Sequence, residues 1–306
     1  MMALVVGACS STNPSPSTST PSGASLAPGQ TPSGTPSGTA STPTGTPSPG
    51  ESGEPQATPT VGPDETPGPE VSPTPKPPKP LADYPTHGKR TQKVIALTFD
   101  ADMYPFMYPT KDSYHEYDTR TLKLLKDNDV HATIFLNGLY VKAYPDIVKD
   151  LAKQPGIELA NHTWDHAAWP GCSDPAAPAL DNKKTEITKT EKIVKDEIGT
   201  DMFWFRFPGG CYGGGSDLEL VKDLGSWPVG WDCYFGDSLG WSGDQQFSNV
   251  KATCGKGSIV ITHLNNTKYH PGVYDALKQL IPWWKENGWT IVNVGELLGR
   301  ETPPAE

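Results

Sequence analysis

His162-Thr163-Trp164-Asp165-His166 places two imidazoles four positions apart after an apolar run, and Asp100-Ala101-Asp102 ends another such run, Val94 to Phe99. Histidines at i and i+4 share a face over one helical turn. Two imidazoles and one carboxylate make the donor set of a catalytic zinc site, which keeps a further position open for water. Zinc lowers the pKa of a water it holds to about 7, and a second carboxylate nearby completes the deprotonation. The chemistry these residues point to is metal-assisted hydrolysis, with Asp100 and Asp102 dividing the roles of base and ligand in either order. Taken singly, each motif has a plainer reading, since HxxxH arises by coincidence and paired aspartates cap turns. A metalloprotease is set aside, because the glutamate that HExxH places between its histidines is absent.

Such residues need elements to hold them together. From residue 93 the chain alternates apolar, β-rich runs with helical patterns, as βα-repeating folds do. The candidate strands are Val94 to Phe99, His131 to Leu136, Ile157 to Ala160, Met202 to Phe207, Val229 to Trp231, Ser258 to Thr262 and Thr290 to Val292. Helices are expected over Thr119 to Asp127, Pro145 to Gln154, Asn182 to Ile198 and Val273 to Asn287. Near-continuous hydrophobicity argues for parallel strands buried by helices on their faces. The expected fold is α/β, a deformed (β/α) barrel of about seven parallel strands. Chemistry in such folds gathers on loops at the carboxyl ends of strands. Asp100 and Asp102 follow the first strand, His162 the third, Arg206 the fourth, Asp232 and Asp237 the fifth, and His263 the sixth.

Taken in order, Thr98-Phe99-Asp100-Ala101-Asp102, His162 to His166, Arg206-Phe207-Pro208-Gly209-Gly210, Trp231-Asp232 with Asp237, and Ile261-Thr262-His263 resemble the motifs of the polysaccharide deacetylase (NodB-homology, carbohydrate esterase 4) family. The resemblance covers residues 93–298. It implies that Asp102, His162 and His166 bind a metal, zinc or another divalent transition metal such as cobalt, with Asp100 as general base. It implies that Arg206 pairs with that base, and that His263 is the acid that protonates the leaving amine. An aspartate supports this histidine in the family, with Asp237 the first choice here and Asp232 the second. Pro208, Gly209 and Trp231 would line the substrate and oxyanion position, where a residue without a side chain allows close approach. Two features depart from the family pattern. Ala101 separates aspartates that are more often adjacent, and Tyr234 and Ser238 stand where Asp and Trp are expected.

The implied activity is removal of N-acetyl groups from amino sugars of a polysaccharide, with cell-wall peptidoglycan the preferred substrate. The alternatives are an O-acetyl esterase acting on a polysaccharide such as acetylated xylan, and a non-catalytic carbohydrate-binding module. A net charge of −10, of which residues 1–90 carry −2 (six acidic against four basic side chains), leaves −8 on the remainder. An acidic domain repels phosphate backbones, so nucleic acid is excluded as a partner and a neutral glycan suits it better.

Of 33 prolines, 20 fall within residues 1–90. From about Ser10 to Pro80 the chain is Pro, Ser, Thr and Gly with almost no large apolar residue, too little to offset its conformational entropy. The division expected is residues 1–9 as a truncated lipoprotein signal, 10–89 as a disordered linker, 90–300 as the single catalytic domain and 301–306 as a tail. Val6-Gly7-Ala8-Cys9 reads as a lipobox that would make Cys9 the lipidated residue. A monomer at the cell envelope follows, touching the membrane only through that lipid, and no apolar run is long enough to span a bilayer. Cys172, Cys211, Cys233 and Cys254 suit up to two disulfides, whose pairing the sequence does not choose, although the first three sit just after motif segments and are expected to crowd one end of the fold.

The loop Met103 to Tyr117 carries Tyr104, Phe106, Tyr108, Tyr114 and Tyr117. It reads either as a sugar-stacking rim or as ordinary packing, and so do Trp169 and Trp241. Trp283, Trp284 and Trp289 are assigned to packing, and His87, His115, His131 and His270 receive no role.

Overall fold

Uninterrupted apolar runs become buried parallel strands. In the computed structural model, which describes residues 82–112, 115–265 and 270–300, β1 (Val94–Ala101) is buried along all but its first residue. It is followed by α1 (Thr119–Asp127), β2 (Ala132–Leu136), α2 (Gly138–Ala143), α3 (Pro145–Ala152), β3 (Ile157–Asn161), α4 (Lys183–Ile198) and β4 (Trp204–Phe205). Then come α5 (Gly215–Asp223), β5 (Trp227–Pro228), β6 (Cys233–Tyr234), α6 (Gly243–Thr253), β7 (Ser258–His263), α7 (Val273–Glu286), β8 (Thr290–Val292) and α8 (Val294–Leu298). The strands form one curled, all-parallel sheet in the order β5-β4-β3-β2-β1-β7-β6, and β8 also pairs with β1. Because β1 meets β7 along Ile95–Asp100, β2 along Thr98–Ala101 and β8 along Val94–Ala96, β2 and β8 divide one edge of β1 between them. This is the deformed (β/α) barrel expected, with one strand more than anticipated. Among the described residues no helix is long and apolar enough to cross a membrane.

Helix starts follow local chemistry. Asp118, Asn182, Ser242 and Asn293 each accept a backbone N–H in the first turn of the helix they precede, the last two as full capping boxes. Four helices lie close to their expected spans, whereas α2, α5, α6 and α8 were not foreseen.

The fourth and fifth strands depart most from expectation. Only Trp204–Phe205 and Trp227–Pro228 pair as strands, in place of Met202 to Phe207 and Val229 to Trp231. Pro208 cannot donate to a ladder, and the Gly230 N–H is drawn to the Pro85 carbonyl at 2.9 Å. Residues 82–89 therefore belong to the folded body, not to the linker expected up to 89. Tyr84 packs on Phe207 and Tyr212, and Gly88 donates to Gly257 at 2.8 Å. A Cβ at Gly230 would stand 2.9 Å from the Tyr84 ring, so glycine is what admits this segment. Cys9, most of the linker and residues 301–306 lie outside the described residues.

Candidate metal centre and active site

The strand register assembles the site. Ala101, Leu136, Asn161 and Phe205 stand side by side across β1, β2, β3 and β4, so Asp102, Asn137, His162 and Arg206 leave the sheet together. One step lower, Asp100 pairs with His263 of β7. Asp102, His162 and His166 are buried, and one donor atom from each lies within 4.8 Å of the others.

Hydrogen bonding fixes which atoms are offered. The Nδ1–H of His162 donates to the Arg206 carbonyl at 2.9 Å, and a carbonyl only accepts, so the Nε2 lone pair faces the cluster. That Nε2 and Asp102 Oδ1 are 3.3 Å apart, and among the described residues neither buried atom has a hydrogen-bond partner. Two orphaned acceptors aimed at one point fit a divalent cation, because buried polar atoms otherwise find partners. Burial alone would raise the Asp102 pKa, but His166, His162 and then His263 hold it well below the usual carboxylate range. Burial lowers His166, whereas Asp100 and Asp102 raise His162 against its own burial.

His162 and His166 do not sit on a helical turn, contrary to the expectation from their spacing. They lie in the loop after β3, with Thr163 at φ +66° and His166 at φ +61°. A β-branched residue in that region is strained by about 1–3 kcal/mol, and the surroundings must over-determine it. Asn161 accepts the Thr163 N–H at 2.9 Å, Gly138 donates to the Thr163 carbonyl at 3.0 Å, and Glu186 accepts from Trp164 and Asp165 at 3.0 and 3.3 Å. Burial and the neighbouring Asp165 push Glu186 up to about 7. The Trp164 ring lies on Gly138, where a Cβ would stand 2.1 Å away. The Asp102 backbone is held in the same manner, donating to Asn265 Oδ1 at 3.0 Å and accepting from Nδ2 at 2.9 Å.

Two partnered groups flank the cluster. Arg206 donates from Nη1 to Asp100 Oδ1 at 2.7 Å and to Thr98 Oγ1 at 2.9 Å, while Asp100 Oδ2 stands 3.5 Å from His162 Nε2. Arg206 is fully buried, with its guanidinium 3.8 Å above the Phe135 ring and 5.3 Å from Trp231. It is no surface ion pair, so its loss strands a buried carboxylate and damages folding as well as rate. On the other flank, the His263 Nδ1–H donates to Asp237 Oδ2 at 2.9 Å, and the same oxygen accepts from the His263 amide and the Thr262 hydroxyl. His263 Nε2 faces Asp102 at 3.7 Å. Burial would lower its pKa, but Asp237 overrides this and raises it to about 9. The charge and hydrogen bond of His263 in turn hold buried Asp237 low.

Asp232, the second choice for this support, is elsewhere. It pairs with Arg90 and accepts from Ser258 and Ile259 at the amino end of β7, away from the site.

Pro208 and Gly209 lie in a turn after β4, Gly209 at φ +59°. The amides of Gly210 and Cys211 close that turn onto the carbonyls of Phe207 and Pro208. Trp231 covers Gly210, where a Cβ would come within 2.7 Å of it. Disulfides join Cys172 to Cys211, against Gly209, and Cys233 to Cys254.

The aromatic loop divides. Tyr104 packs at a tilt against His166, centroids 4.9 Å apart, and donates to Asp174 at 2.7 Å, and exposed Phe106 stacks on Tyr104 at 5.5 Å. Tyr117 instead packs on Tyr144, and Tyr114 lies outside the described residues. Trp169 is core, against Phe205 and Phe207. Exposed Tyr234 and Leu239 neighbour Trp241 and Asp237 on the opposite stretch of chain. Asn265, Asn161, Glu186 and His270 are site residues that the sequence motifs did not single out.

A family model described as polysaccharide deacetylase matches residues 87–227. A peptidoglycan-N-acetylglucosamine deacetylase of Bacillus cereus is 30% identical over 212 residues, covering 68% of this chain and 89% of that protein. The chain belongs to the polysaccharide deacetylase family. A second Bacillus cereus protein of the same description is 28% identical, covering 70% of this chain and 72% of its own length. The crystal structure of a peptidoglycan N-acetylglucosamine deacetylase with a bound N-hydroxybenzamide compound superposes with TM-score 0.60 at 26% identity, over 72% of this chain and 94% of that one. The deacetylase motifs are thus carried on the deacetylase fold, and the Asp-His-His cluster is the place where such an enzyme can hold its metal.

Proposed function

We propose that this deacetylase is a zinc-dependent hydrolase that removes acetyl groups from N-acetylglucosamine units of peptidoglycan. The observation that carries the reading is a buried three-donor cluster flanked by a carboxylate and an imidazole, each with its own charged partner. Asp102, His162 and His166 would hold the metal, whose part is to act as a Lewis acid on water and the acetyl carbonyl. Asp100, held in place by Arg206, takes the proton from the attacking water. The Gly209 amide donates to the carbonyl oxygen as charge develops there. His263, kept protonated and oriented by Asp237, gives its Nε2 proton to the departing amine nitrogen as the C–N bond breaks, leaving acetate and a free amino sugar. Phe106, backed by Tyr104, offers an exposed aromatic face to the apolar side of a pyranose ring.

Work at the cell envelope is part of the proposal. Both disulfides suit an oxidising compartment, and the lipobox-like Val6 to Cys9 supports acylation at Cys9. Mass analysis of Cys9 in the membrane fraction tests that placement, and an unmodified thiol overturns it. Acetate release from peptidoglycan and from N-acetylglucosamine oligomers, with acetylated xylan alongside, tests the activity. Release from xylan alone would make the chain an O-acetyl esterase, and release from none would leave a binding module.

A further inference from the structure

His270 lies just before α7, and its ring is stacked on that of His263 with centroids 3.8 Å apart and planes 13° from parallel. One edge of the His263 ring is tied, Nδ1–H to Asp237 at 2.9 Å, while Nε2 faces the metal cluster, 3.7 Å from Asp102. A single in-plane bond lets the ring rock about Cβ–Cγ within the width of that bond, and a flat plate against its face narrows the range further. His270 Nδ1 is buried with no hydrogen-bond partner among the described residues, so this atom gives the residue no anchoring role of its own. Burial, and then the charge of His263, push the His270 pKa down to about 3.

We propose that His270 is a positioning residue, which holds His263 at the angle needed to pass its proton to the leaving nitrogen. The inference rests on the deacetylase reading and adds to it a residue outside the family motifs. An amine leaves only when protonated, whereas 4-nitrophenolate leaves without a proton. If His270 acts through the acid role of His263, its loss must discriminate between these two leaving groups.

The test uses the full chain loaded with zinc, comparing parent, His270→Ala and His270→Phe on N-acetylglucosamine oligomers and on 4-nitrophenyl acetate. The expected result for His270→Ala is a kcat on the oligomer lowered by about tenfold or more, with KM changed less than about twofold. Turnover of 4-nitrophenyl acetate stays within about twofold of the parent, and the flat ring of His270→Phe restores most of the loss on the oligomer. Equal losses on both substrates would make His270 a packing residue, and an unchanged oligomer rate would remove it from the mechanism. Either result overturns this inference while leaving the deacetylase reading standing. A parent chain that releases no acetate from the oligomer overturns both.

Discussion

The two ends of the parallel sheet both bury carboxylates, and they treat them in opposite ways. At the amino end, buried Glu158 accepts from Thr133 Oγ1 at 2.8 Å, Trp204 Nε1 at 2.9 Å and Gly295 N at 3.1 Å, and the more exposed Asp232 accepts from Arg90, Ser258 and Ile259. Each is surrounded by donors that tie neighbouring elements together. At the carboxyl end, Asp102 Oδ1 and His162 Nε2 are buried as deeply as Glu158 and have no hydrogen-bond donor among the described residues. An unpaired buried acceptor costs about 1–3 kcal/mol, so the fold tolerates at one end what it avoids at the other. A ligand explains the difference, because a cation converts those orphaned atoms into its coordination sphere.

Substitutions at the two ends should therefore have opposite signatures. The largest effect is expected from Asp102→Asn, which abolishes acetate release and zinc retention while leaving the melting temperature of the zinc-free protein unchanged or raised. A zinc-free protein strongly destabilised by this change would argue that the carboxylate is structural. His263→Ala should lower kcat for amide hydrolysis by about 10²–10⁴-fold with the metal still bound, read by acetate release and metal analysis together. Arg206→Ala leaves Asp100 buried and unpaired and should cost about 3–5 kcal/mol in denaturant unfolding, in addition to lost activity.

At the other end, Glu158→Gln should cost about 1–3 kcal/mol and leave kcat within about twofold, since only a structural acceptor is altered. A smaller and subtler change is expected with pH. His263 must carry a proton to act as acid, so amide hydrolysis should fall as pH rises through about 9, the value to which Asp237 raises it against burial. Asp237→Asn removes the charge that raises it, and the falling limb should move to lower pH. A limb that stays in place would assign it to another group.

Much of this contrast was legible in the chain. Continuous apolar runs mark β1, β2, β3 and β7, and polar residues at their carboxyl ends stand out because little else there is hydrophilic. The choice between Asp237 and Asp232 needed coordinates, since both follow the same predicted strand and only the fold carries them to opposite ends of β7. Spacing misled at His162 and His166, where four residues suggest a helical turn but Asn161, Gly138 and Glu186 pin a strained loop. Asn265 reaches Asp102 across 163 residues, and His270 stacks from beyond the last motif, so no local pattern announces either. The packing of Tyr84 at the edge of a Pro-rich stretch was hidden for the same reason, its partners Phe207 and Tyr212 being far along the chain.

The central claim is that one cation held by Asp102, His162 and His166 makes this chain a glycan deacetylase. It is tested most directly by stripping the protein of metal and titrating zinc back while measuring acetate release from N-acetylglucosamine oligomers. Release should rise from nothing to a plateau at about one zinc per chain. Full activity in the stripped protein, or none at any zinc concentration, would contradict it.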